Sequence, residues 1–393
     1  MCEKMSDDHG PIYGQSKLQI IFAITLLGVM AVSLLSPAFP SIRDHFGVTE
    51  NEVGLLITAF TLPGIFLSFF IGSLADWFGR KQVLVPALFL FGVAGGACAI
   101  APDFSTLIIL RFFQGIGGAA LVTLAVTLIG DYYDGIERAS AIGANASVLS
   151  IGTASYPFLG GVLTEFSWVI PFLLYLLAIP VGIIALFFLR NPEQGDFSIH
   201  SYLHQISRLI IKPRTLGAMV ASALAFIMLY GGIITYFPQL MNERFTHSPL
   251  TIGAIMGSMS IAVAIISSQT GKLVKRFPMD LLIITGFFLY GVGLFLIPLI
   301  PQIWIFLVPM IIFGFGHGLI LPNLQTLFSR LAAREHRGAM MSLFNISTRT
   351  GMTIGPLILA LSFAVGGFSM VFRSAALLSL IASGIGILVV KLK

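Results

Sequence analysis

Charge is scarce in this chain, and that scarcity excludes a water-exposed surface. Only 10% of its 393 residues are Asp, Glu, Lys or Arg, against 56% hydrophobic, and the mean hydropathy is +0.96. A soluble domain carries roughly 25% charged residues, so lipid must be the outer solvent. Cysteine is scarcer still. Cys2 and Cys98 are the only two, one near the N terminus and one inside an apolar run, which excludes a disulfide or cysteine-metal framework. Metal-ligand spacing, a phosphate-binding loop and a supported nucleophile–base pair are missing too. Their absence speaks against an enzyme, including a membrane-embedded one, and no cofactor is expected. A non-transporting sensor is disfavoured because no soluble output domain is attached. Acid is missing from the interior: all 17 Asp and Glu fall in tails, loops or helix ends, whereas two arginines and one histidine lie inside apolar runs.

What is present is Leu, Ile, Phe, Gly and Ala in runs of about 20 residues, the length that crosses a bilayer as a helix. The alternating ten-residue segments of a membrane barrel are not seen. The runs predict an all-α membrane protein with helices over 18–40, 53–75, 82–101, 104–130, 139–163, 168–190, 215–241, 250–274, 280–299, 303–328, 338–363 and 368–390. The opening segment is polar, and no small-residue cleavage site follows a short apolar core, so the first run is expected to be retained. Arg43, Arg244 and Arg373 fall on one side of this arrangement, and Arg111 and Arg349 lie inside helices. The rest of the 22 Lys and Arg fall on the other side. The positive-inside rule makes that side, with both termini, cytoplasmic. The net charge of +5 belongs to that asymmetry and implies no nucleic acid.

One offset, 199 residues, superposes landmarks along the whole chain. Gly54 maps to Gly253, Gly72 to Gly271, Gly115 to Gly314, Gly117 to Gly316, Arg138 to Arg337, Gly152 to Gly351 and Pro157 to Pro356. Such a repeat predicts two six-helix bundles. They run over 18–190 and 215–390, with a cytoplasmic tail at 1–17, a central loop at 191–214 and a short end at 391–393. Within the loop, Tyr202, Leu203, Ile206, Leu209 and Ile210 recur at helical spacing, which predicts a short interfacial helix; an ordinary tether is the alternative.

The turn after the second helix reads Gly72-Ser-Leu-Ala-Asp76-Trp-Phe-Gly79-Arg80-Lys81. It resembles the signature loop of the major facilitator superfamily, with Trp77 where a basic residue is usual. Gly79 permits a tight turn, and Arg80 can pair with acids of neighbouring helices. The resemblance implies Asp131 as one partner, in a cluster that latches the cytoplasmic gate in the outward-facing state and breaks in the other. A topology signal alone is the alternative. Under the latch reading, Asp76→Asn abolishes transport with membrane insertion intact; normal transport in vesicles would sink that reading.

In the fourth helix, Arg111-Phe-Phe-Gln114-Gly115-Ile-Gly117 is similar to the family's second motif, whose arginine is implied in proton coupling. A snorkelling arginine is the alternative. In the fifth, Gly152-Thr-Ala-Ser-Tyr156-Pro157-Phe-Leu-Gly160-Gly161 is similar to the family's antiporter motif, with Tyr156 in place of a glycine. The resemblance implies a twelve-helix drug:proton antiporter of the inner membrane. Its partners would be a small amphipathic substrate, protons and the bilayer, and it would act as a monomer. An exporter or facilitator of a specific metabolite, such as a sugar or organic anion, is the runner-up. His317 has the pKa range to carry the proton, with Asp76 and Asp131 as alternatives. Expected cavity residues are Asn145, Tyr230, Tyr236, Gln239, Gln269, His317, Asn323, Gln325, Asn345 and Arg349, with Phe60 and Phe237 as apolar walls. With no acid in the interior, a neutral or anionic substrate is expected over a dication.

Overall fold

A computed structural model describes residues 15–189, 191, 209–245, 248–331 and 337–391. The predicted interfacial helix and most of the central loop lie outside the described residues, as do most of both termini. No strand occurs among the described residues. Among the described residues the chain rises and falls as twelve long helices, labelled here α1 (Ser16–Phe46), α2 (Leu55–Phe78), α3 (Arg80–Ala97), α4 (Phe104–Tyr132), α5 (Gly135–Phe166) and α6 (Ile170–Phe188) in the first half. The second half has α7 (Pro213–Phe245), α8 (Pro249–Arg276), α9 (Met279–Leu296), α10 (Leu307–Arg330), α11 (337–365) and α12 (368–391). The last two run on as one helix except at Gly366 and Gly367, where Gly367 takes φ 59°, a left-handed conformation that reverses the chain. α4 starts on an aspartate cap: the Asp103 carboxylate accepts from the Thr106 N–H at 2.8 Å, and that bond holds its pKa below the usual aspartate value.

Each half has the same packing diagram. α2 and α3 pack on α4 and α1 packs on α5, just as α8 and α9 pack on α10 and α7 packs on α11. The repeat persists at the level of single contacts. A Cβ on Gly117 would stand 2.5 Å from the Ala87 carbonyl and 2.7 Å from the Phe91 N; on Gly316 it would stand 2.6 Å from the Gly286 carbonyl and 3.2 Å from the Tyr290 N. Each of those partners lies 199 residues beyond its counterpart. Gly115 abuts the Phe60 carbonyl and Gly314 the Met259 carbonyl, again 199 residues on. Close backbone approach through small residues is how membrane helices gain dispersion contact where no hydrophobic force drives them together.

The helices are not regular throughout: 3-10 turns interrupt α1 at Ser36–Ala38 and α6 at Leu174–Leu177, and α7 carries a wider departure. Ile227–Tyr236 in α7 is π-helical, ten residues whose wide turns carry Gly231 and Gly232. Thr235 Oγ1 donates to the Tyr230 carbonyl five residues back at 2.7 Å. α11 lies close against this stretch, so that a Cβ on Gly355 would meet the Ile227 Cα and carbonyl at 3.0 Å. Wide turns of this kind recur at functional sites.

Candidate functional site

The two halves meet along α2 with α11 and along α5 with α8. The bonds joining them gather at the ends of the helices away from Arg80, Arg138, Lys275 and Arg330, here the far end as opposed to the basic end. There the Ser36 hydroxyl donates to the Ile234 carbonyl at 2.6 Å and the Tyr236 hydroxyl to the Asn51 side chain at 2.7 Å. Gln239 donates to the Glu50 carbonyl at 3.1 Å, and the Leu250 N–H to the Glu165 carboxylate at 3.3 Å. Glycines bring the backbones together beneath these bonds. A Cβ on Gly161 would lie 2.5 Å from the Pro249 carbonyl and 3.2 Å from the Gly253 Cα, and Gly253 in turn abuts the Pro157 carbonyl. The two-fold mate of that contact sets Gly54 against the Pro356 ring at 3.2 Å.

At mid-depth the seam thins to threonines. Thr61 and Thr353 share a hydrogen bond at 2.8 Å, Thr58 donates to the Thr353 carbonyl at 2.9 Å, and Ser260 donates to the Thr153 carbonyl at 3.3 Å. One turn nearer the basic end, Arg349 reaches across from α11, its Nη2 donating to the Ala119 carbonyl of α4 at 3.3 Å. Its side chain occupies the space left by Gly64 on α2, where a Cβ would stand 2.8 Å from the guanidinium carbon. Beyond this level the halves part. Gly72 on α2, Gly143 on α5 and Gly271 on α8 each look onto open space, with nothing within 4 Å of a Cβ built there. The result is a cleft closed at the far end and open at the basic end, with the partly exposed Arg349 at its floor and the buried Thr61–Thr353 pair behind it.

The signature loop sits at the open mouth. Gly79 takes φ 99°, a conformation that only glycine tolerates well. Side chains on both flanks pin the turn. The Lys81 N–H donates to the Asn191 side chain at 2.9 Å, and Arg80 Nε donates to the Asp131 carboxylate at 3.0 Å while its Nη1 reaches the Gly72 carbonyl at 3.5 Å. The Asp76 side chain lies outside those described. Arg80 and Asp131 belong to the same half, and their pair is formed although the halves are apart at this end. Of the expected latch cluster, the Arg80–Asp131 pair is in place.

Arg111 does not snorkel. Its guanidinium is fully buried, and it donates to the Gln114 side chain at 2.6 Å, the Ala31 carbonyl at 3.0 Å and the Leu56 carbonyl at 3.4 Å. It also lies over the Phe60 ring at 4.7 Å, which places Phe60 inside the first half and not on the cleft wall. Tyr156 takes up the room of the glycine usual there by turning its hydroxyl onto the Leu26 carbonyl at 3.1 Å, between Gly152 and Gly160, which both press on α1.

Other expected cavity residues are scattered. Tyr236 and Gln239 belong to the far-end seam. Asn145 is buried against α1, accepting from Thr25 at 2.7 Å, and Phe237 packs on Phe306 within the second half. His317 is buried between α9 and α10, its Nδ1 engaged by the Tyr290 hydroxyl, its ring stacked on Tyr290 and edge-on to Phe226. Asn323 bonds its own helix through the Leu319 carbonyl, and Gln269 and Gln325 are exposed toward the basic end. Asn345, one turn from Arg349 toward the mouth, and Tyr230, close enough to act electrostatically on Arg349, are partly exposed. Sequence reasoning missed Thr58, Thr61, Gly64, Ala119 and Thr353, because their cross-half partners lie more than 200 residues away in the chain and nothing local marks them.

Comparison with known proteins bears on this arrangement. The sequence profile described as Major Facilitator Superfamily matches residues 21–281 and 219–393. The chain is similar to a protein named Bacillibactin exporter from Bacillus subtilis, 23% identical over 86% of this chain and 87% of that one. It is similar as well to the Quinolone resistance protein NorA of Staphylococcus aureus, 25% identical over 88% of this chain and 89% of that one. Among solved structures, a bacterial homolog of the human lysosomal transporter Spinster, described as inward-facing and unoccupied, superposes with a TM-score of 0.79 at 17% identity, over 95% of this chain and 96% of that one. The nucleoside transporter NupG superposes with a TM-score of 0.78 at 12% identity, over 95% of this chain and 99% of that one.

Proposed function

The chain belongs to the Major Facilitator Superfamily, and on that premise we propose that it expels small amphipathic compounds from the cell in exchange for protons. It is a multi-pass membrane transporter and not an enzyme. The observation that carries the finer reading is a cleft between the halves, shut at one end by a two-fold-related seam and open at the other, with each half tied together internally. Such a body has two natural states, related by rocking one half on the other, and substrate bound at mid-depth meets one compartment at a time.

In this reading the basic end is cytoplasmic, with both termini, in the inner membrane, and one chain suffices as the working unit. Substrate enters from the cytoplasm or the inner leaflet and leaves when the far-end seam parts. Gly72, Asp76, Gly79, Arg80, Lys81 and Asp131 keep the α2–α3 turn fixed to α4 so that the first half moves as one piece. Gly152, Pro157, Gly160 and Gly161 seat α5 against α1 and α8 and close the far end to protons. Arg111 and Gln114 hold α1, α2 and α4 in register. His317, engaged by Tyr290 away from the cleft, is a poor proton carrier, and the exchange falls to Asp131 and Asp76 at the mouth. The names of the two relatives, an exporter and a resistance protein, support outward transport.

The test is proton release in proteoliposomes holding the purified chain, under an imposed pH gradient, across chemically varied compounds. At least one compound is expected to move against its gradient while protons move the other way. Substrate movement indifferent to the pH gradient would favour a facilitator of a specific metabolite instead.

A further inference from the structure

Two guanidinium groups lie at membrane depth in this chain, and their surroundings differ. Arg111 has three acceptors and two aromatic faces, with Tyr175 at 6.0 Å as the second. Among the described residues Arg349 has one hydrogen bond, to the Ala119 carbonyl at 3.3 Å. A guanidinium offers five N–H donors, so most of its capacity is unused. No carboxylate lies in the middle of any span to neutralise it, because every Asp and Glu of the sequence falls in a tail, a loop or a helix end. Among the described residues, Tyr230 is the titratable group that acts on it electrostatically. Arg349 is also partly exposed, and it stands where the threonine seam ends and the open cleft begins.

From this geometry we infer that Arg349 is the receptor for an anionic group on the transported compound, and that taking up the anion unlatches the two halves. A carboxylate or sulfonate entering from the open end meets the free face of the guanidinium and can accept two parallel N–H bonds. The apolar remainder of the compound stays in the apolar cleft. The partners that Arg349 gives up, the Ala119 carbonyl and the notch at Gly64, both belong to the opposite half. Binding therefore replaces a cross-half contact with a contact to the ligand, at the boundary of the seam. A ligand shifts a conformational equilibrium only through its differential affinity for the two states, and this exchange of partners supplies it. The inference rests on the efflux reading for the direction of flow and for nothing else.

The test uses the purified full chain with three matched probes: 2-naphthoate, methyl 2-naphthoate and 2-naphthylmethylammonium. Titration calorimetry is expected to show naphthoate binding roughly ten-fold or more tighter than the ester, with the ammonium compound weakest. Arg349→Gln should bring naphthoate down to the level of the ester while leaving the ester unchanged, and Arg349→Lys should fall between, since an ammonium lacks the planar fork. A second measurement reads the latch. Spin labels at Asp44→Cys and Glu243→Cys, in a Cys2→Ser, Cys98→Ala background, report separation of the far ends. Naphthoate should lengthen that distance in the labelled parent and not in Arg349→Gln. Gly64→Ala, which displaces the guanidinium, should lengthen it without ligand and still bind naphthoate. Failure of naphthoate to bind better than the ester, or equal binding by Arg349→Gln, overturns the inference, and a distance unmoved by naphthoate overturns the unlatching. Selective, Arg349-dependent binding without proton release in proteoliposomes would instead defeat the efflux reading and leave the anion site standing.

Discussion

Arg111→Met is expected to lower transport by on the order of a hundredfold, the scale that a misplacement of about 1 Å can reach in a working site, while the protein still inserts and melts near the parent temperature. Two effects on stability oppose each other. Removing a charged side chain from membrane depth returns about 2.5–3.5 kcal/mol on insertion scales. Leaving the Gln114 amide with no partner at either end costs roughly 1–3 kcal/mol, because its Nε2 already lacks one. The terms nearly cancel, so a loss of transport cannot be put down to unfolding. What is lost is the tie: one side chain on α4 bonds to α1 through Ala31 and to α2 through Leu56. Without it α1 and α2, which carry seam residues, no longer move as one body with α4. Arg111→Lys keeps the charge but not the planar fork, and an intermediate loss is expected. The measurement is initial efflux rate at matched insertion, beside a thermal melt; parental transport by the methionine variant would remove the tie from the mechanism.

The second large effect concerns the seam itself. Gly253→Val places side-chain atoms against the Pro157 carbonyl and the Gly161 Cα of the opposite half. Backbone cannot yield as a flexible side chain can, and overpacking of this kind costs typically 1–3 kcal/mol. Because the obstructing atoms belong to the other half, the strain is relieved by parting the halves and leaves each fold intact. A shift of about 5–150-fold toward a parted far end follows from that energy, read as a longer spin-label distance between the far ends. Gly117→Val is the control. Its obstructing atoms, the Ala87 carbonyl and Phe91 N, lie within the same half, so rocking offers no relief. It should lower the melting temperature without moving the distance. Identical distance distributions in Gly253→Val and its parent would show that the far-end contact does not set the conformational equilibrium.

The difference between these two glycines shows where sequence reasoning reaches and where it stops. Gly117 and Gly253 both belong to the 199-residue repeat. Nothing in the repeat says that one packs within its own half and the other across to its partner. Similarly, Arg111 and Arg349 are both arginines inside apolar runs, and the functional weight falls on them in opposite ways. The first is saturated by carbonyls and an amide and acts as a brace. The second has donors to spare and faces the cleft. His317, Tyr236 and Gln239 looked like pocket residues for their chemistry alone, and each is engaged elsewhere by a partner that the sequence does not point to.

By itself the amino-acid order determined the solvent, the number of crossings, the duplication and the placement of the signature turn. Each of these rests on composition and spacing along one dimension: too little charge to face water, runs as long as a bilayer is thick, one offset that recurs, and a glycine where the chain must turn. Only the tertiary structure decided which side of each helix meets lipid, which meets its own half and which meets the cleft. In a soluble helix an apolar stripe marks the buried side. Here lipid and protein interior are equally apolar, so the helices are hydrophobic all round and carry no such stripe. The choice was left to close contacts between glycines, threonines and one arginine whose partners come from the other end of the chain.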